Sequence, residues 1–324
     1  MNESSPPSRL LDYLRLFRIP NVFTAIADIA MGFLLVRGGP DPVVAFLLLA
    51  GASALIYTAG MVLNDVFDID IDRRERPERP LPAGRISLHS ARLMGTVMLA
   101  GGVILACLAG VFCTVAGTLA WRPAVVALGL ASAVLLYDAW LKRTPLGPVG
   151  MASCRFLNVL LGASIAAPTA DWWFAYYGPA PLIAAGGLGI YIVGVTWFAR
   201  SEAETSHRLN LALATVVMVV GIVILGFLHD TLASAEPQRT LLLAKQGGWV
   251  LLLTLLTLVI LRRCLIAIAN PSPQQVQFAV KNCILSIITL DAAVALDTSN
   301  VYCAVSVLAL LVPTLVVGRW VYST

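Results

Sequence analysis

A chain of 324 residues would ordinarily suggest about two soluble domains, but 59% of it is hydrophobic and only 12% charged, with a mean hydropathy of +0.85. That leaves too little polar surface to cover a soluble core, so lipid is the solvent for most of the chain. The formal charge of +4 comes with no basic, aromatic-interleaved polar segment, which argues against nucleic acid as a partner. Cys107, Cys113, Cys154, Cys264, Cys283 and Cys303 lie singly, without CxxC or Cys/His spacing, which argues against zinc and a disulfide framework.

In chain order, residues 1–8 are polar and read as a disordered cytoplasmic tail. The first apolar run starts only after Arg15 and Arg18, which is not the pattern of a cleavable signal peptide. Apolar runs then follow at about 20–38, 43–63, 93–113, 123–141, 146–167, 179–199, 209–228, 246–261, 278–296 and 301–318. Several can cross ~30 Å of hydrocarbon at ~1.5 Å per residue. They lack period-2 alternation and are roughly twice the length of a barrel strand, so helices must satisfy the backbone.

The expected fold is therefore all-α: a polytopic transmembrane helical bundle of ten counted segments, forming a single membrane domain over 9–324. Threading it with the N-terminus inside gathers Arg9, Arg15, Arg18, Arg73, Arg74, Arg76, Arg79, Arg85, Arg92, Lys142, Arg143, Arg200, Arg208, Arg262, Arg263, Lys281 and Arg319 on the cytoplasmic side. Arg37, Arg122, Arg239 and Lys245 remain outside. That bias predicts a multi-pass integral protein with a cytoplasmic N-terminus, placed by expectation in a bacterial inner membrane. Asp171, Trp172, Trp173, Phe174, Tyr176 and Tyr177 read as an outer aromatic belt, and His89, His207 and His229 as solvated loop residues.

Asp65, Asp68, Asp70, Asp72, Glu75 and Glu78 fall in one stretch at the inner end of the second run. On a helix, Asp65, Asp68 and Asp72 share a face with Asn64, while Asp70 points elsewhere. Three like charges beside hydrocarbon repel unless a cation sits among them. Hard carboxylate oxygens without His or Cys suit Mg²⁺, which completes its shell with substrate phosphate oxygens, so a phosphorylated substrate is expected.

Asn64-Asp65-x-x-Asp68-x-x-x-Asp72, followed by Arg76-Pro77-Glu78-Arg79-Pro80-Leu81-Pro82-Ala83-Gly84-Arg85-Ile86-Ser87, resembles the first signature of UbiA prenyltransferases. Tyr137-Asp138-Ala139-Trp140-Leu141-Lys142-Arg143 is similar to the family's Tyr…Lys-Arg segment. The resemblance implies a bundle, usually of nine spans, around a lipid-facing cavity. There a prenyl diphosphate would lose pyrophosphate and alkylate an aromatic or other lipophilic acceptor. It makes Asp65, Asp68 and Asp72 the expected Mg²⁺ ligands and catalytic residues together with Lys142 and Arg143. Asn64, Arg76, Arg79, Tyr137, Arg155, Asn158, Arg200, Glu202 and Glu204 become the expected substrate contacts.

The family's second Asp-x-x-x-Asp motif is missing. Its place reads Phe198-Ala199-Arg200-Ser201-Glu202-Ala203-Glu204-Thr205-Ser206-His207-Arg208, with Glu202 and Ser206 at the two aspartate positions. With Arg18-Ile19-Pro20-Asn21 and Gly147-Pro148-Val149-Gly150, this departure resembles the EboC-like branch. Inside the spans, Asn21 and Asp28 share one face, Arg155 and Asn158 another, and Asp291 stands alone; such groups usually face a bundle interior. Two other functions fit less well. A CDP-alcohol phosphotransferase would need an Asp-Gly-x-x-Ala-Arg element, which is absent. A catalytically weakened isoprenoid carrier or scaffold would account for Ser206.

Overall fold

A computed structural model describes residues 9–113, 118–166, 177–200, 207–235 and 246–321. The expected tail, most of the aromatic loop, and Glu202, Glu204 and Ser206 lie outside the described residues. Among the described residues fourteen α-helices follow in order: α1 (Arg9–Leu16), α2 (Ile19–Arg37), α3 (Val43–Phe67), α4 (Ile69–Glu75), α5 (Leu88–Phe112), α6 (Arg122–Ala139), α7 (Gly147–Gly162), α8 (Pro179–Ala199), α9 (Arg208–Gly226), α10 (Leu228–Ala235), α11 (Gln246–Ala269), α12 (Pro273–Thr298), α13 (Val301–Ala309) and α14 (Leu311–Val321). Among the described residues, ten segments are long and apolar enough to cross a membrane, with α9–α10 and α13–α14 each making one. The count therefore follows the ten apolar runs and exceeds the nine that the family resemblance implied. The tenth segment is broken after α13, because Pro313 has no N–H to offer the Ala309 carbonyl.

Burial separates an inner from an outer set of helices. In α2 and α7, 72% of the apolar window is enclosed by protein, against 28% in α5 and 22% in α11; the latter two carry lipid-facing side chains such as Leu93, Val97, Leu251 and Leu255. α2 and α7 cross closely because each offers a glycine to the other. A Cβ on Gly32 would overlap the Val159 carbonyl and lie 3.0 Å from the Ala163 nitrogen; one on Gly162 would lie 2.9 Å from the Ile29 Cα. Small residues permitting backbone approach are the usual basis of helix association in lipid, where the hydrophobic effect between helices is lost.

A separate cluster forms at the end bearing α1 and α4. Leu16, Val62, Val66, Ile69, Leu81, Ile86 and Ala91 are buried together, fastening α1 and the segment after α4 onto α3 and α5. Between α1 and α2, Arg18 adopts a left-handed backbone (φ 47), at a cost of about 1–2 kcal/mol for a residue with a Cβ.

Two sequence expectations change. His229 is buried, not solvated, with Nδ1 2.9 Å from Asp297 Oδ2, because the chain continues as α10 where a loop was expected. Tyr177 is buried as well, outside any interfacial belt. Its hydroxyl donates to the Leu160 carbonyl at 2.6 Å, the Arg122 guanidinium lies 4.8 Å from its ring, and burial pushes its phenol above the ordinary range.

Candidate functional site: a charged rim over an intramembrane cavity

The acidic stretch is not one continuous helix. α3 stops at Phe67, and Asp68 (φ −95, ψ 5) joins it to α4, so the carboxylates that ideal spacing would align diverge. Asp65 and Asp72 are buried and turn toward Arg79, whose Nη1 lies 2.9 Å from Asp72 Oδ2 and 3.5 Å from Asp65 Oδ1. Arg18 Nη2 reaches Asp65 Oδ1 at 3.1 Å. Asp68 pairs with a different set of cations: Lys142 Nζ lies 2.7 Å from its Oδ2 and Arg143 Nη2 3.0 Å from its Oδ1. Arg143 also donates to the Phe67 carbonyl at 3.2 Å, placing positive charge at the negative end of the α3 dipole.

Local sequence explains how these cations arrive. Leu81 and Ile86 are buried, and Gly84 supplies a left-handed turn (φ 72). The amides of Arg85 and Ile86 donate to the Pro80 carbonyl at 3.0 and 3.3 Å. The loop is thereby pinned, and Arg79 is delivered onto Asp65 and Asp72. Lys142 and Arg143 sit on a single 3₁₀ turn, Leu141–Arg143, directly after α6.

Below the rim, α2, α3, α6 and α7 enclose a cavity of about 60 Å³, room for roughly four to six waters. Its walls are mostly apolar: Ile56, Met61, Leu130, Val134 and Met151. The polar groups on them are Ser53, Tyr57, Tyr137, Asp138, Arg155 and Asn158. Arg155 donates from Nη1 to Asp28 Oδ2 and from Nη2 to Thr24 Oγ1, both at 2.8 Å, and its guanidinium carbon lies 5.8 Å from the Tyr57 ring centre. Asn158 Nδ2 donates to Asp28 Oδ2 and to the Ala25 carbonyl, each at 2.9 Å, while its Oδ1 accepts from Ser53 Oγ at 2.7 Å. Asp291 of α12 is within electrostatic reach of Asp28 and Arg155, so it does not stand alone. Asn64 faces away from the charged rim and donates to Asp138 Oδ1 at 2.8 Å.

Of the residues singled out from sequence, the rim gathers Asp65, Asp68, Asp72, Arg79, Lys142 and Arg143, and the cavity gathers Tyr137, Arg155 and Asn158. Arg76 is exposed at the end of α4. Arg200 is exposed and hydrogen-bonds the Thr144 carbonyl, just past the 3₁₀ turn. Sequence reasoning missed Arg18, counted toward membrane orientation and quoted in a branch motif but given no role at the site, and Asp138, quoted only as part of a motif. An ionisable residue inside an apolar run is the signal that would have found Asp138.

Among the described residues, no three His, Cys, Asp or Glu side chains converge as a metal group. The donors are nonetheless all hard carboxylate oxygens, and the Arg79 guanidinium bridges Asp65 and Asp72 where a dication would lie. The chemistry of the set therefore fits Mg²⁺.

Residues 25–277 match the family model of the UbiA prenyltransferase family. The digeranylgeranylglyceryl phosphate synthase of Methanoculleus marisnigri is 36% identical over 157 residues, 48% of this chain and 51% of that protein. The chain thus matches about half the length of such curated relatives. These are archaeal and lend no support to a bacterial membrane. A solved structure concerned with digeranylgeranylglyceryl phosphate synthase in membranes superposes with a TM-score of 0.62 at 19% identity, covering 90% of this chain and 98% of that one. A UbiA homolog from Archaeoglobus fulgidus bound to DMAPP and Mg²⁺ gives 0.52 at 15% identity, covering 87% and 99%. The all-helical fold is therefore that of the solved UbiA homologs, and with the greater part of its sequence matched, this integral membrane chain belongs to the UbiA prenyltransferase family.

Proposed function

We propose that the protein transfers a prenyl group from a prenyl diphosphate to a lipophilic acceptor inside the membrane, with the charged rim facing the cytoplasm. The observation that carries this reading is the placement of three carboxylates and four cations directly over an apolar cavity, in a chain of this family. Asp65, Asp68 and Asp72 would hold Mg²⁺, which when bound supplies charge to the leaving diphosphate. Lys142 and Arg143, now on Asp68, and Arg18 and Arg79, now on Asp65 and Asp72, are the chain's own donors to diphosphate oxygens. Held in a site walled by hydrocarbon, such donors stabilise charge as it develops on the leaving group. The cavity below gives the allylic carbon a mostly apolar setting, in which a bound acceptor is the nucleophile best placed to reach it.

Similarity to proteins named digeranylgeranylglyceryl phosphate synthase makes a glyceryl phosphate ether lipid the first acceptor to try, and Arg155 the candidate partner for an anionic headgroup. The test is Mg²⁺-dependent pyrophosphate release from a panel of prenyl diphosphates by purified protein in nanodiscs. Release by the wild type that is abolished in Asp68→Ala, with insertion intact, supports transfer. Prenyl diphosphate binding without release would overturn it in favour of a carrier, and undiminished release by Asp68→Ala would remove the assigned site.

A further inference from the structure

We infer that Asp138 is the general base that removes the proton displaced from the acceptor. The inference rests on the prenyl transfer proposed above and adds a residue to it. The group stands at the boundary such a base must occupy. It lies in the last turn of α6, one turn before Lys142 and Arg143, and on the wall of the cavity that would receive the hydrocarbon chain. The residue is 2% exposed. Oδ1 accepts from Asn64 Nδ2 at 2.8 Å, and Oδ2 is buried without a hydrogen-bond partner.

A buried carboxylate oxygen left unpaired is costly, and where one persists it calls for an explanation. Packing supplies none: Gly60, opposite, leaves its face of α3 bare, and a Cβ there would lie 3.8 Å from Oδ2. Asn64 fixes the carboxylate from one side. The neighbouring residue, Asp65, turns to the charged rim, so consecutive residues of α3 address the base and the diphosphate end. Lys142, Arg18 and Asp68 are the charged groups acting on Asp138, with Tyr137 and Cys154 beside it.

The step balances without a further reagent. The C1–O bond of the prenyl diphosphate breaks and its electron pair leaves with pyrophosphate. A lone pair of an acceptor hydroxyl, or a π pair of an aromatic acceptor carbon, forms the new bond to C1; the proton on that oxygen or carbon then passes to Asp138 Oδ2, and its bonding pair returns to the oxygen or to the ring. Asp28 Oδ1 and both oxygens of Asp291 are also buried without a hydrogen-bond partner, but Asp28 is bound through its other oxygen by Arg155 and Asn158, and of the three only Asp138 lines the cavity.

Asp138→Asn keeps the size and can keep a contact with Asn64 while removing the base; Asp138→Glu keeps the base. With acceptor and prenyl diphosphate both present, prenylated product and pyrophosphate are quantified separately, alongside the melting temperature. The expected result for Asp138→Asn is a 10²- to 10⁴-fold loss of transfer, the usual worth of a general base, with pyrophosphate release retained and the prenyl group recovered as alcohol. Asp138→Glu should regain a measurable part of the transfer. Equal loss of release and transfer in Asp138→Asn at unchanged melting temperature, or transfer within tenfold of wild type, overturns the assignment. Absence of pyrophosphate release in the wild type would instead sink the underlying reaction, which keeps the two failures apart.

Discussion

The crossing of α2 and α7 should be sensitive to a single added methyl, and Gly32→Ala tests it. The added methyl would overlap the Val159 carbonyl, and the Ala163 nitrogen is 3.0 Å away; both are backbone, so no side chain can swing aside and α7 itself must move. Forcing a methyl into packed backbone costs about 1–3 kcal/mol. Moving α7 also strains four hydrogen bonds to α2: Arg155 to Asp28 and to Thr24 at 2.8 Å, and Asn158 to Asp28 and to the Ala25 carbonyl at 2.9 Å. Side-chain hydrogen bonds between membrane helices average about 0.6 kcal/mol each, which brings the expected loss to about 3–5 kcal/mol if all four are lost. Alanine gains helix propensity of up to about 1 kcal/mol over glycine, so the reference is Gly186→Ala, where a Cβ meets nothing within 4 Å. Reversible SDS unfolding of both variants, with Gly162→Ala as the reciprocal probe, gives the comparison. If Gly32→Ala unfolds within 0.5 kcal/mol of Gly186→Ala, a threshold set by the usual scatter of surface substitutions, the close crossing does not hold α2 to α7.

Further outcomes follow from single contacts. Lys142→Ala leaves Asp68 with Arg143 alone and should lower pyrophosphate release about 10²- to 10³-fold, the worth of one preorganised donor, with little change in the melting temperature. Asn158→Ala strips one donor from buried Asp28 and the acceptor from Ser53. It should destabilise by about 1–3 kcal/mol, read by the same SDS titration. Tyr191→Phe removes the 2.8 Å bond to the Cys283 carbonyl and should cost between about 0.6 and 1.7 kcal/mol without affecting pyrophosphate release, since Tyr191 is outside the cavity lining.

Hydropathy made the helical bundle legible because a span must satisfy its own backbone, and all ten apolar runs have counterparts among the candidate membrane-crossing segments. What hydropathy could not show is which runs lie inside: α2 and α11 read alike, yet only α2 is enclosed, because Gly32 lets α7 approach it. At the site, residue type was legible and geometry was not. Helical spacing aligned Asp65, Asp68 and Asp72, but the chain breaks at Asp68, whose partners Lys142 and Arg143, on the turn after α6, are 74 and 75 residues away in sequence. Arg18 carries no local mark of its pairing with Asp65, since the left-handed turn that aims it is a tertiary consequence of docking α1 through Leu16. His229 was misplaced for a similar reason: its partner, Asp297, is 68 residues distant.

The charge at the rim bears on the order of binding. Asp65, Asp68 and Asp72 are matched by Arg18, Arg79, Lys142 and Arg143, leaving a net of one positive charge in a cluster whose carboxylates are largely shielded from water. A dication entering alone would raise that to three, and its approach to Asp65 and Asp72 would have to displace Arg79. A prenyl diphosphate carries about three negative charges at neutral pH; alone it would take the rim to about two negative, whereas together with one Mg²⁺ it brings the rim to neutrality. In a low-dielectric setting each uncompensated charge is expensive, so metal and diphosphate should bind as a pair. Calorimetry in nanodiscs should find Mg²⁺ affinity raised at least tenfold by a non-hydrolysable prenyl diphosphate analogue, and the analogue's affinity raised by the same factor with Mg²⁺, as linkage requires. Arg79→Gln removes one positive charge and the group that bridges the carboxylates. That variant should bind Mg²⁺ more tightly in the absence of diphosphate and show a smaller coupling factor. Equal Mg²⁺ affinity in wild type and Arg79→Gln, with no coupling in either, would mean that the arginine does not stand where the metal goes.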